Sequence, residues 1–342
     1  MFIRVGKSCK IILCTFILCI LFGNSNGVTD VKANEKINLS AWLPYWDLDA
    51  GSQELKQLNK NLNNLIFFGA YFNKDNKLFV PDKLLQQKEL LEKNQIHYDK
   101  YISFVNDKEF ADGSVQWKDL DVLRELFSTD EAMQKHIDEI IGIALGGNFD
   151  GIEIDYEKIW KDEAVSKRFL NFSYKLYLEA LKHNLKVRIV LEPSMPFAST
   201  ELFKGPEYVV MLYNLYGIHS GPGPKANKAF VEKTLARMAA ATDKKSVAFS
   251  MGGCIWSDNG SKKFISEIEA NATAARMKVK PKRDRDSKCL TYSYKDEDGN
   301  YEVWFADIKT LNYWISLAQQ AGVNEISIWR LGGNIKMNKV KQ

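Results

Sequence analysis

The sequence predicts a parallel (β/α)₈ TIM barrel with a small α+β insertion after its seventh strand. Eight short strand-like stretches alternate with amphipathic ones from residue 39 to 329, as expected of parallel strands joined by helices. The 342 residues, 45% of them hydrophobic, are enough for one large core and require no second. A doubly wound open sheet is the competing arrangement, but no glycine-rich phosphate loop supports it.

The elements follow in order. Leu39–Trp46 (L-S-A-W-L-P-Y-W), Asn64–Phe72 and Tyr101–Val105 read as the first three strands, and Phe149–Glu157 as the fourth. Helical patterns at Leu84–Gln95 and Asp130–Leu145 fall between them, the second opened by the capping signal S-T-D. A long helix from about Ala164 to His183 follows, with Phe169, Phe172, Leu176 and Leu181 as its expected apolar stripe. Lys186–Leu191 and Tyr208–Tyr213 are strands five and six, and Gly217–Pro224 is turn-rich. A helix from about Lys225 to Ala241 leads to strand seven, Ser246–Met251. Residues 254–306 form the insertion, with a hairpin over Thr291–Trp304 expected to turn at Asp298-Gly299. A helix at Ile308–Ala321 precedes strand eight, Glu325–Trp329. Only about a dozen residues follow it, so a closing helix is short or absent.

The fourth strand carries the chemistry. In F-D-G-I-E-I-D-Y-E, Glu153, Asp155 and Glu157 share one face, while Ile152, Ile154 and Tyr156 point the other way, into packing. A solvated edge strand would also alternate, but its second face would not be wholly apolar. Stacked carboxylates cannot all stay ionised at low cost, so one retains a proton near neutral pH. A retained proton makes a general acid.

At the N-terminus, Arg4, Lys7 and Lys10 precede a twelve-residue stretch, Ile11–Phe22, apolar but for Thr15. It is too short to span a membrane and has signal-peptide layout, with 1–33 as the expected segment and 34–342 as the mature barrel. Cleavage after Ala33 takes the net charge from +4 to +1. The mature chain shows no basic stripe with interleaved aromatics, so nucleic acid is not an expected partner. Cys254 and Cys289 remain after cleavage, either bridged or as two thiols. The four histidines lack ligand spacing, so neither a zinc site nor a cofactor is expected. The mature protein is expected to be secreted or held in the cell envelope, monomeric and not inserted in the membrane.

The string Asp150-Gly151-x-x-x-Asp155-x-Glu157 resembles the strand-four signature of glycoside hydrolase family 18, the chitinase-like family. Met211-Leu212-Tyr213-Asn214 resembles its strand-six M-x-Y-D, Trp329 its strand-eight tryptophan, and Ala41–Trp46 its strand-one opening. V-W-F-A-D (Val303–Asp307) and I-W-R-L-G (Ile328–Gly332) resemble the branch with spore-cortex and peptidoglycan-acting members. The chain departs from the family pattern at Glu153 and Asn214, where Asp is usual, so the pH optimum and substrate ranking do not carry over.

The resemblance implies hydrolysis of β-linked N-acetylglucosamine glycans with retention, assisted by the substrate's own acetamido group. It casts Glu157 as acid, Asp155 as partner of the acetamido N–H, Tyr213 as donor to the acetamido oxygen, and Glu153 as holder of the proton Asp155 needs. Trp329 is the sugar platform, with Asn214, Met211 and Tyr45 lining the pocket. Trp256 and His219 are candidate rim contacts, and Asp150 is expected to fix the start of the strand. Two rivals stand beside this reading. One is a sugar-binding protein without catalysis. The other is a metal enzyme ligated by Asp150, Glu153, Asp155 and Glu157.

Overall fold

Around the barrel, each strand finds its neighbour in parallel register. A computed structural model describes residues 36–341 except 59–60, 94–96 and 240–243. The expected signal segment therefore lies outside the described residues. The barrel strands are Asn38–Pro44, Leu62–Phe72, Asp99–Glu109, Gly151–Asp155, Lys186–Leu191, Glu207–Met211, Lys245–Ser250 and Glu325–Trp329. Strand one pairs with strand eight (Asn38 opposite Glu325) as well as with strand two, so the sheet closes. Closure leaves no open edge among these eight and forces inward and outward residues to alternate.

The alternation separates two apolar regions. Outward residues such as Ile152, Ile154 and Tyr156 join the large layer between strands and helices. Inward residues, including Trp42, Phe68, Tyr101, Val190, Val209, Met211 and Ala248, fill the barrel itself. The helices cover the outside because their starts and stripes are written locally. Thr129 accepts from the Ala132 N–H at the head of Asp130–Gly146, and Asp162 accepts from the Val165 N–H at the head of Glu163–Lys182; each cap satisfies a donor the helix leaves unpaired. The stripe of the second helix is Val165, Phe169, Phe172, Leu176 and Ala180. Leu181, expected to belong to it, is 50% exposed, because five residues beyond Leu176 is about 140° off the stripe.

The barrel is not regular throughout. Among the described residues strands five and six are joined without an α-helix, only a 3₁₀ turn at Phe197–Ser199, and strand eight is followed by a 3₁₀ turn at Met337–Lys339. The insertion begins two residues before its expected start. Its sheet comprises Gly252–Ser257, Lys262–Ile265, Lys282–Arg283, Leu290–Asp296 and Gly299–Ala306, packed on the helix Glu267–Arg276. Gly253 permits the antiparallel pairing of Gly252–Ser257 with Gly299–Ala306, since a Cβ there would lie 1.7 Å from the Trp304 carbonyl oxygen. The hairpin turns one residue earlier than expected. Asp296 faces Gly299, so Glu297 and Asp298 make the turn, and Gly299, with φ +142°, opens the return strand. Cys254 and Cys289 are both buried free thiols. Among the described residues no helix is long and apolar enough to cross a membrane.

Candidate active site

Two layers of charge lie along strand four. The lower one is closed on every side. Glu153 is fully buried; its Oε1 accepts from the Trp42 indole N–H at 2.6 Å and its Oε2 from Arg188 Nε at 2.9 Å. Arg188 is equally buried and spends its remaining donors on Glu207 (2.8 Å), Ser40 (3.1 Å) and Ser327 (2.9 Å). It lies against the rings of Trp42 and Tyr101. Burial raises the Glu153 carboxyl, while the Arg188 charge and the Trp42 hydrogen bond act against that. Isolated, either charge would cost several kcal/mol, roughly, to bury; together they plug the barrel.

Two residues further along, the layer at the mouth is left open. Asp155 is 9% exposed, and its Oδ1 is buried with no hydrogen-bond partner. Burial, then the charges of Glu157 and Glu153, push its carboxyl well above the usual carboxylate range. Burial first and crowding second thus favour the protonated form of Asp155, not of the expected general acid alone. Glu157 lies just past the strand and is ion-paired with Lys118. Its main chain is fixed by Asn106, whose Oδ1 accepts from the Glu157 N–H at 2.9 Å and whose Nδ2 donates to the Glu157 carbonyl at 3.2 Å. Asp107 (pushed up to about 6, mainly by burial) and Glu192 (also raised by burial) complete an acidic rim.

Tyr213 faces this cluster. It follows strand six, and its hydroxyl is raised by burial and then by the charges of Asp155, Glu157 and Glu153. Trp329 ends strand eight and is partly exposed; its ring meets Trp42 edge-on at 5.7 Å and Phe68 at 4.8 Å. Met211 is buried within the same interior cluster, beneath Tyr213 and Trp329. The structure therefore brings Glu153, Asp155, Glu157, Tyr213, Met211 and Trp329 to the C-terminal half of one barrel, where barrel enzymes carry their chemistry. Asn214 lies exposed on the turn beyond Tyr213. Tyr45 sits to one side, donating to Glu109 Oε2 at 3.4 Å and packing on Trp46 and Tyr71. With Trp46, Asp47, Lys83 and Gln87 it lines a cavity of about 440 Å³ beside the mouth.

One expected rim contact falls elsewhere. Trp256 is buried, and its indole N–H donates to the Gly217 and Ser220 carbonyls at 3.2 and 3.1 Å, so it holds the loop after strand six and forms no rim. Its neighbour on that loop, His219, is exposed. Asp150 does fix the start of strand four: its Oδ2 accepts from the Lys100 N–H at 2.8 Å. That places it at the opposite end of the strand from Glu157. Among the described residues no group of three His, Cys, Asp or Glu side chains converges as a metal ion requires.

Several residues of the site escaped the sequence reading. Arg188 was visible as a lone charge inside K-V-R-I-V-L, a pattern that asks for a buried counter-ion. Trp42 stood in the strand-one motif without a role. Lys118, Asn106 and Asp107 gave no signal, because their positions depend on how the loop after strand three folds back.

No family model matches the chain. The uncharacterized glycosylase YvbX of Bacillus subtilis (strain 168) is 24% identical over 230 residues, 63% of this chain and 66% of that protein. The cortical fragment-lytic enzyme of Bacillus anthracis is 32% identical over 71 residues, 20% of this chain and 16% of its own length. This chain thus matches just under two thirds of the first relative and a small part of the second. Among solved structures, the Bacillus cereus spore cortex-lytic enzyme SleL aligns with a TM-score of 0.75 at 18% identity, covering 90% of this chain and 74% of that one. A chitinase from Chromobacterium violaceum ATCC 12472 aligns at 0.73 and 17% identity, covering 89% and 96%. The fold is that of the chitinase-like barrels. The resemblance to glycoside hydrolase family 18 read from the motifs extends to the architecture, and the relatives' names support a glycoside hydrolase.

Proposed function

We propose that this chain is a retaining glycoside hydrolase acting on β-linked N-acetylglucosamine glycans, with the substrate's acetamido group as the internal nucleophile. The observation that carries the reading is the under-satisfied carboxyl of Asp155. It lies buried beside Glu157 and faces Tyr213, in a mouth floored by Trp329.

A retaining glycosidase with an enzyme nucleophile needs two carboxylates flanking the sugar. Here the acids share one strand end, which suits a mechanism needing one donor and one positioning group. Glu157 protonates the departing glycosidic oxygen. The acetamido carbonyl attacks the anomeric carbon and forms an oxazolinium ion. Asp155, whose Oδ1 the fold leaves unpaired, passes its proton to Glu153, accepts the acetamido N–H as a carboxylate and offsets the positive charge. Tyr213 donates its hydroxyl to the acetamido oxygen. Glu153, whose own carboxyl is raised by burial, lies beneath Asp155 and takes up or returns that proton. Trp329 presents an aromatic face to the ring, held by Trp42 and Phe68. Met211 fills the space below, and Tyr45 and Asn214 extend the walls. The residues do this with no metal or cofactor.

Among N-acetylated glycans, bacterial wall glycan or its released oligosaccharides fit best, given the cortex-lytic relatives; chitin-type oligosaccharides and N-glycan cores are the alternatives. The signal-like N-terminus and such a substrate support an extracytoplasmic location, and we propose that the protein acts there as a monomer. The test is incubation with chitooligosaccharides, purified peptidoglycan and an N-glycoprotein, with products read by mass spectrometry. Equal cleavage of a matched de-N-acetylated glycan would remove substrate assistance. No cleavage of any N-acetylated glycan would leave a sugar-binding barrel.

A further inference from the structure

Arg188, Lys100, Lys108 and Lys118 are shielded from water and each meets a carboxylate. Lys225, at the end of the loop after strand six, is partly buried and among the described residues meets none. Its Nζ donates to Ser250 Oγ at 2.9 Å and lies 5.3 Å from the centre of the Phe264 ring. The ionisable groups that act on it are the thiols of Cys254 and Cys289 and the guanidinium of Arg330. Arg330 has its own anion, Asp47 at 2.5 Å. An ammonium carries three protons to donate. Ser250 takes one, and the phenyl ring offers only its face. Burial pushes Lys225 below the usual lysine range, whereas an anion arriving beside it would favour the charged form.

The fold puts this ammonium beside the sugar platform. Along strand seven Val247 and Phe249 join the outer layer and Ala248 the interior, so Ser250 also faces inward, at the C-terminal end of the strand. Ser250 stands opposite Trp329 in register, and the next residue, Met251, donates its N–H to the Trp329 carbonyl at 3.0 Å. The Ser250 hydroxyl donates to the Met251 carbonyl at 3.1 Å, which leaves its oxygen to accept from Lys225. On the other side the Leu215 N–H donates to the Lys225 carbonyl at 3.1 Å, tying the lysine to the segment that begins at Tyr213. Phe264, 59% exposed, flanks the ammonium from the insertion sheet, where it pairs with Cys254. The mouth is therefore divided by charge. Its acids come from strands three to five and their ends, and Lys225 stands across from them, past strand six and against strand seven.

We propose that Lys225 binds a carboxylate carried by the glycan, that of the lactyl ether on an N-acetylmuramic residue adjoining the N-acetylglucosamine at the cleaved bond, and so sets a preference for acidic wall glycan over neutral chitin-type chains. The inference rests on the hydrolase reading above and names its substrate more narrowly. A chitin-type chain has no anion to offer and leaves the ammonium with Ser250 alone. In peptide-bearing wall glycan the lactyl carboxyl is bound in an amide, so the free carboxylate is supplied by an amide hydrolysis that removes the peptide first.

The test compares kcat/KM on peptide-free wall glycan strands with kcat/KM on the same strands after their carboxylates are converted to methylamides, for the wild type, Lys225→Gln and Lys225→Arg, with a chitooligosaccharide alongside. The wild type is expected to prefer the free carboxylate by roughly 10- to 100-fold, the range for a hydrogen bond to a charged group. Lys225→Gln can still donate to Ser250 but has no charge, and its ratio should fall to near one. Lys225→Arg should keep most of the preference. Each ratio is taken within one variant, so a lower yield of folded protein leaves it unmoved. A wild-type ratio near one overturns the proposal, as does cleavage of the chitooligosaccharide with neither strand cut. A preference that survives in Lys225→Gln, with both rates lowered alike, also overturns it and makes Lys225 a prop for the loop. Failure of the underlying reading looks different: the wild type then hydrolyses neither the strands nor the chitooligosaccharide, or Glu157→Gln retains its activity.

Discussion

Glu153 and Asp155 stand two residues apart on one strand, point into the same barrel and are both buried, yet their surroundings are opposite. Glu153 has each oxygen paired and a guanidinium against it. Asp155 has an oxygen with no partner and carboxylates on both sides. Burial alone therefore does not mark a functional carboxylate. What separates them is whether the fold has satisfied the group. A fully paired acid is locked in place by the fold, while an unpaired one keeps its hydrogen-bonding capacity for something that is not part of the protein.

The sharpest way to break this contrast is at the mouth. Glu157→Gln keeps size and shape but removes the proton, so hydrolysis should fall by roughly 10²–10⁴-fold while the melting temperature stays unchanged. Turnover close to wild type in a steady-state assay would take Glu157 out of the mechanism. At the plug the signs reverse. Arg188→Met leaves Glu153 and Glu207 without their cation, and breaking a buried pair of this kind costs roughly 3–5 kcal/mol. Denaturant melts should show that loss, and adding Glu153→Gln should recover part of it, because the two changes act on one network. Equal losses adding in full would mean that the two side chains are not coupled.

Asp155→Asn sharpens the comparison further, since it should trade function against stability. The amide cannot offset the oxazolinium charge, so kcat should drop by roughly 10²-fold with little change in KM. The fold should gain. A carboxyl raised in the folded state contributes stability that is complete below its unfolded value and lost as pH rises through its folded value. The variant should therefore melt higher than the wild type at neutral pH and above, and match it in acid. A pure KM effect, or a loss of stability at high pH, would place Asp155 among the acids that only support the fold.

How far the sequence revealed this depends on range. All eight strands were legible, because strand period, turn residues and caps are local. The acidic ladder and its facing were legible for the same reason: alternation along F-D-G-I-E-I-D-Y-E determines which residues look inward. Which carboxylates the fold pairs and which it leaves unpaired was not. That answer depends on Arg188, 35 residues away, and on Lys118, 39 residues away, and no local pattern links them to strand four. Trp256 misled for a related reason, since an aromatic on a strand just past the barrel mouth reads as a rim contact until the Gly217 and Ser220 carbonyls are found beside its N–H.

Between the two extremes lies Glu267, at the head of the insertion helix. It is 5% exposed, and one backbone donor reaches it, the Ile335 N–H at 2.8 Å, from the loop that follows Trp329 and strand eight. Its carboxyl is pushed up to about 7, chiefly by burial, with that hydrogen bond and the Lys336 charge opposing and the charges of Asp307 and Glu54 adding. Glu54, facing the same loop, is burdened by burial as well but accepts from Gly332 and Asn334 at three points. Glu267 thus binds a proton more tightly folded than unfolded. The stability it contributes is complete below about 4.5, the ordinary value, and fades as pH rises through about 7. Glu267→Gln keeps a carbonyl for the Ile335 N–H and never ionises, so it should leave the melting temperature unchanged near pH 4 and raise it above pH 7. Water reaching the carboxyl edge reduces the gain, which is expected to be about 2 °C. Melts across that range decide it: a variant less stable than the wild type at high pH would show that the ionised carboxylate, not a neutral acceptor, is what the loop after strand eight requires.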